Sequence, residues 1–298
     1  MRIYLNDFEL NNPANRVYVN EELLGLSLPD IRTSKGVRAG QSGSYFGKQL
    51  WDSRQISIQG SIFSQSVSEA LQKRREIQAA LPLFPERITM RIIDDDGHAY
   101  LSYCQLVKFD MPIRRRRMKS LFKIELEAGD ATLYDDTNGT ALSATITKPI
   151  SGGMQFTTTS PQFGSTFYFS AGQPLTSVTN TSPVTVYPLI VISGKTNDPV
   201  LTNKTTGHVW ALNGYAVASD AVTQIDMYER TVRLGNVTDL VDGVLPDGVG
   251  GSVFSYVSDT DDDWWGLAPG INEIELLSSQ DNDVSTAELK WRPGVMGI

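Results

Sequence analysis

At 298 residues and 40% hydrophobic content, the chain is long enough for one large domain or two ordinary ones with real cores. Its net charge of −8 argues against a general nucleic-acid binder, and no apolar run is long enough to span a bilayer, so no membrane insertion is expected. One cysteine and two histidines rule out an internal disulfide and supply Cys/His zinc sites and hydrolytic triads poorly; the expectation is no cofactor, no metal and no enzyme.

The N-terminal "MRIYLNDFEL" lacks the apolar segment of a signal peptide, which points to synthesis in a cytoplasm. Charge is unevenly spread. Residues 1–134 hold 19 Lys+Arg against 16 Asp+Glu, and residues 135–298 hold 7 against 18. That step, with the small polar passage Asp135 to Thr145, predicts a domain boundary near Tyr134: one domain over 1–134 and a second over 135–298.

In the first half, "RQISIQGSI" alternates Ile56, Ile58 and Ile62 with polar residues, which is the period of a half-buried strand. "SVSEALQKRREIQAALP" predicts a helix, with Ser66 and Glu69 as a capping box and Pro82 beyond its end. Val67, Ala70, Leu71, Ile77, Ala80 and Leu81 form its apolar face. "IIDDDGHAY" reads as a hairpin turn with His98 solvated. Cys104 sits in the apolar run "LSYCQLVKFD" as a buried small thiol, and "FKIELEA" repeats the strand pattern through Phe122, Ile124, Leu126 and Ala128.

Between those two strands lies "MPIRRRRMK". Pro112 disfavours continued pairing, so Arg114, Arg115, Arg116 and Arg117 are expected at a loop tip, as a solvated face or a protein contact. The stacking aromatics of a single-strand nucleic-acid binder are missing from this loop.

The second half is rich in Thr, Ser, Asn and Gly. Short strands are predicted at "VTVYPLIVI", "GHVWAL", "VTQIDMY", "RTVRLG", "GSVFSYV", "INEIELL" and "TAELKW", with no helix, which argues for an all-β sandwich or jelly roll. Pro188 demotes the first of these to an edge or a bulge. "LIVISGKTND" fails as a phosphate loop, since Leu189 stands where the motif needs glycine and no helix follows. His208 opens a strand as a surface histidine.

"DTDDDWWGLAPG" lacks the glycine and the closing glutamate of a calcium loop, and a solvated acidic turn is expected instead. If "DWWGL" begins a strand, Trp264 and Trp265 point to opposite faces. One indole is then core, and the other, beside Asp261, Asp262 and Asp263, is a candidate protein or sugar contact.

Taken in order, "DSRQISIQGSIF", "KRREIQAAL", "MRIIDDDGHAYLSYCQL" and "FKIELEAGDATLYDD" resemble the first domain of phage distal tail proteins. "NTSPVTVYPLIVISGKTNDPVLTNKTTGHVWAL", "QIDMYERTVRLGN", "LAPGINEIEL" and "AELKWRPGVMGI" resemble the second. The likeness covers nearly the whole chain and departs from the family at Ala131, where a proline is expected. It implies a mainly β protein: an α+β, β-sandwich-like ring-forming domain with one helix and hairpins, then a galectin-like or carbohydrate-module-like β-sandwich. It also implies a structural hub in the virion tail tip of a siphovirus-type phage, assembled in the host cytoplasm.

Six copies would close a ring, a homohexamer, with strand edges such as Arg54–Phe63 meeting between subunits. The implied partners are the tail tube protein, a tail-associated hub protein, the tape measure protein and receptor-binding or fibre proteins of a baseplate or tail tip used in host attachment. No specific nucleic acid is expected, because phosphate contacts would hold DNA in transit. The competing reading is a carbohydrate-binding module whose second domain takes a cell-surface saccharide on Trp264, Trp265 or Trp210.

Overall fold

Alternation decides the first sheet. In β6 (Arg54–Phe63), Ile56, Ile58 and Ile62 are buried, and in β9 (Lys119–Ala128) Phe122, Ile124, Leu126 and Ala128 are buried opposite them, with Ile58 facing Ile124. The computed structural model describes residues 1–20, 23–83, 87–112, 119–148, 175–280 and 283–298. These divide into two units, Met1–Thr140 with Gly294–Ile298, and Ala141–Pro293. The boundary expected near Tyr134 falls within β10 (Leu133–Asp135), and the last five residues belong with the first unit.

The remaining elements of unit 1 are β1 (Arg2–Leu5), β2 (Phe8–Leu10), β3 (Val17–Val19), β4 (Ile31–Val37), β5 (Ser44–Trp51), α1 (Val67–Ala79), β7 (Ile88–Ile93) and β8 (Ala99–Asp110). Most form one antiparallel sheet in the order β2-β1-β7-β8-β9-β6-β3. Onto β8 pairs β10, and onto β10 the closing strand Gly294–Val295. Ile3, Leu5, Ile58, Ile77, Ile92, Phe122 and Ile124 share its core. Cys104 is buried there, and burial pushes its thiol up to about 11, against the smaller opposing effects of Ser102 and Arg54.

Three expectations need correction. β6 is not an edge strand: β9 pairs along its length, and β3 with a Leu24–Ser57 bridge occupies its other side, so the strand order ends at β2 and β3, which an Asn12–Val17 bridge brings together. In α1 only Ala70 and Ile77 are buried, with Ala80 and Leu81 just beyond, while Val67 and Leu71 face solvent. The helix is covered along a narrow stripe, and its N-terminal turn extends past that cover. The cap is also half a box: Glu69 N donates to the Ser66 hydroxyl at 3.2 Å, but the Glu69 carboxylate accepts from Gln65 N at 2.7 Å.

Unit 2 is a sandwich of two antiparallel sheets with no α-helix among the described residues. Its strands are β11 (Leu142–Thr147), β12 (Thr176–Asn180), β13 (Leu189–Gly194), β14 (Thr196–Asn197), β15 (Val200–Asn203), β16 (His208–Leu212), β17 (Ala216–Val217), β18 (Ala221–Asp226), β19 (Thr231–Asn236), β20 (Gly251–Ser252), β21 (Val257–Asp262), β22 (Gly270–Leu277) and β23 (Ser285–Trp291). One sheet runs β11-β23-β13-β18-β19-β20, the other β12-β22-β15-β16-β21.

Here too the sequence expectation shifts. β13 lies between β23 and β18 rather than at an edge, because Pro188 precedes the strand and needs no ladder hydrogen bond. "GSVFSYV" is not one strand. β20 ends at Ser252 and Phe254–Tyr256 forms a turn of 3-10 helix.

A buried carboxylate joins three segments of unit 2. Asp283 accepts from Asn197 N at 2.8 Å, from Asn197 Nδ2 and from the Ser278 hydroxyl, with Lys195 3.8 Å away. Burial raises its pKa, but these donors outweigh it and hold the group below the ordinary aspartate value. A depressed folded-state value contributes stability above the unfolded pKa, and that stability is lost as pH falls through the folded one. Unit 2 is therefore expected to lose stability below the ordinary carboxylate range, and Asp283→Asn to flatten that acid limb in denaturant titrations. An unchanged limb would assign the acid sensitivity to other groups.

Candidate interaction surfaces

β4 and β5 pair only with each other among the described strands, with Ile31 opposite Trp51, Lys35 opposite Phe46 and a bulge between Thr33 and Lys35. Almost every residue of this hairpin is exposed, including Ile31, Val37, Tyr45, Phe46, Leu50 and Trp51, and Val37 reaches 83%. A Cβ at Gly36 would meet the Tyr45 ring at 2.2 Å, so a larger residue there would displace that exposed side chain. Lys35 lies 5.8 Å from the Phe46 ring centroid. A two-stranded hairpin is marginal in water by itself, and an apolar hairpin with both faces exposed marks a contact surface. Sequence reasoning missed it because alternation appears only where one face is buried and the other is wet.

The arginine run lies between β8 and β9, which pair antiparallel with Asp110 opposite Lys123. Arg114, Arg115, Arg116 and Arg117 themselves lie outside the described residues.

The tryptophan pair lies just past β21, an edge strand that pairs irregularly with β16. "DWWGL" does not open a strand, and the acidic stretch before it is strand rather than turn, with Asp259 and Asp261 exposed. Trp265 is buried, at 3% exposure, while Trp264 is partly buried. Trp264 meets two further rings. Trp210, fully buried in β16, lies edge-on to it at 5.8 Å, and Phe254 is parallel to it at 6.1 Å. Tyr256 packs at 5.3 Å on Tyr215. Phe254 and Tyr256 were missed as surface residues because aromatic alternation in "VFSYV" reads as a strand.

His208 Nδ1 lies 3.1 Å from Asp263 Oδ2, both side chains exposed. Among the described residues no group of three or more His, Cys, Asp or Glu is placed to hold a metal ion. Nor is any helix among them long and apolar enough to cross a membrane.

The chain matches no protein-family model and no curated protein. Solved structures do match it. The SPP1 Dit protein, described as a paradigm of the hub adsorption apparatus in phages that infect Gram-positive bacteria, gives a TM-score of 0.60 at 12% identity, covering 99% of this chain and 98% of that one. The chain has the fold of a phage Dit hub protein. A chain of the phage P2 baseplate in its activated conformation with Ca gives 0.55 at 12% identity, covering 100% and 99%. Its counterpart with Sr gives 0.53 at 13%, covering 100% and 98%. The likeness to the Dit fold spans both units in one order along the chain and fits its mainly β character.

Proposed function

We propose that this chain is a structural virion protein, the distal tail hub that joins the tail tube to the tip or baseplate and carries host-attachment proteins. The observation that carries this reading is the end-to-end fold likeness to SPP1 Dit, which leaves no part of the chain over for a separate catalytic domain. Unit 1 is assigned to the ring, in six copies, and unit 2 to the periphery as a galectin-like sandwich. Tube, tape measure, tail-associated hub and receptor-binding or fibre proteins are the assigned neighbours.

One feature of unit 1 supports assembly: its β4–β5 hairpin exposes apolar residues on both faces. Light scattering and negative-stain imaging of the full chain are expected to show closed rings, alone or on added tube protein. Val37→Ser with Phe46→Ser is expected to abolish assembly while shifting subunit stability by only about 0.5 kcal/mol, the usual size for surface substitutions. Full assembly by that double variant would remove the hairpin from the interface. A monomer under all conditions, tube protein included, would overturn the hub reading.

A further inference from the structure

Residues 254–264 read FSYVSDTDDDW, with four aspartates, no lysine or arginine, and an aromatic residue at each end. The two ends meet. Phe254 lies parallel to Trp264 with 4° between the ring planes, and Trp264 is backed by the fully buried Trp210. Phe254 nonetheless remains 51% exposed. Tyr256 is 42% exposed and leans on the buried Tyr215, whose hydroxyl is 2.8 Å from that of Thr223. Two exposed rings are thus fixed on rigid backing, the form of a contact that loses little entropy on binding.

Their surroundings select the ligand. Asp259 and Asp261 are both exposed, in the irregular stretch of β21 that follows the rings in sequence. The only side-chain hydrogen bond described for the Asp261 carboxylate is a local one, from the hydroxyl of Thr260 at 3.3 Å. Rings offer their faces to cations, and a guanidinium is planar, weakly hydrated, and able both to stack on a ring and to fork onto a carboxylate. A neutral glycan gains nothing from the carboxylates, and an anionic polymer is repelled by them.

We propose that residues 254–264 form a docking surface for an arginine-bearing segment of a partner polypeptide, with Phe254 and Tyr256 as the stacking faces and Asp259 and Asp261 as the counter-charges. The inference rests on unit 2 alone and stands whether or not the chain closes a ring, which light scattering reads separately.

The test is calorimetric titration of the full chain with a synthetic arginine-rich peptide whose sequence is foreign to this chain, GSRGRSRGRS, and with the same peptide carrying Gln for each Arg. The arginine peptide is expected to bind at low salt and to weaken as salt screens the carboxylates. Phe254→Ala is expected to weaken it about tenfold, the loss of one anchoring contact. Asp259→Asn with Asp261→Asn is expected to weaken it comparably and flatten the salt dependence. Asp259→Asn with Asp261→Asn should keep the wild-type melting temperature, since both side chains are exposed, and Phe254→Ala should lower it by only a few degrees, the loss of its stacking on Trp264. Four outcomes would overturn the proposal: no binding, equal binding of the Gln peptide, binding undiminished by Phe254→Ala, or a neutral chitooligosaccharide bound at Phe254 in place of the peptide. Self-association that Phe254→Ala removes would also overturn it, since the occupant would then be a second copy.

Discussion

Arg54→Met is expected to destabilise unit 1 by about 3 kcal/mol or more, since each buried carbonyl left without its donor costs about 1–3 kcal/mol. Arg54 is 1% exposed at the start of β6, and its guanidinium contacts no carboxylate among the described residues. It is held instead by carbonyls from three separate parts of the chain. Nε and Nη2 donate to Ala131 O at 2.9 and 2.7 Å, Nη1 donates to Gly25 O and Ser27 O at 2.7 and 2.6 Å, and Nη2 also reaches Met296 O.

Burial pulls the guanidinium pKa down, with Asp130 opposing, but an arginine stays charged through the physiological range, so the cation and its acceptors depend on each other. Methionine fills much of the volume and leaves four carbonyl acceptors without this donor. Gly25 adds to the constraint: it has φ +95°, and a Cβ there would come within 1.9 Å of Gln55 O, so its loop can sit this close only with glycine.

Arg54→Lys is expected to fall between wild type and Arg54→Met, because a compact ammonium with three donors cannot span these acceptors as the planar fork does. Deleting residues 294–298 removes Met296 O, the Leu133–Val295 and Tyr134–Gly294 pairing and the Ile298 N bond to Leu26 O. It is expected to loosen unit 1 while unit 2 is spared, although the deletion lies directly after unit 2 in sequence. Hydrogen exchange resolved by peptide measures each unit separately. Loss of protection confined to Ala141–Pro293 would overturn this account.

This clamp also shows where reading the sequence stops. The strands around Ile56 to Ile62 and Phe122 to Ala128 were legible because each buries one face, which writes the core into every second residue. Cys104 was legible for the same reason. Arg54 was not, since its partners lie 29, 77 and 242 positions away and no local pattern marks a buried cation. Nor was the return of the C-terminus, because Gly294–Val295 is too short to carry a period. The expectation that β6 is a free edge failed because β3, Val17–Val19, is three residues long and too short to carry a period. For the aromatic surface, the sequence marked the tryptophan pair and its acidic neighbours. What it could not supply was the stacking of Phe254 on Trp264, a contact that closes a loop rather than following a strand.

Trp265→Ala is expected to cost about 3–5 kcal/mol in unit 2, the range for removing a large aromatic from a core, and Trp264→Ala distinctly less. The two side chains are adjacent, and their exposure separates them. Trp265 is 3% exposed, so its removal leaves a cavity that the surrounding sandwich relaxes into only in part. Trp264 is partly buried and makes two ring contacts, with Trp210 and Phe254. At about 0.5–1.5 kcal/mol for each such pair, with some lost burial, its truncation should cost about 1–3 kcal/mol. For a unit of this size each kcal/mol moves the melting temperature by roughly 2–4 °C, so the two variants should melt visibly apart. Trp264→Phe keeps a ring against Phe254 and should recover most of the Trp264→Ala loss, whereas Trp265→Phe still leaves a void and should recover only part. Equal destabilisation by the two alanine variants would mean that Trp264 is core as well. Phe254 would then rest on the sandwich interior itself, and its ring could not be removed without disturbing the fold.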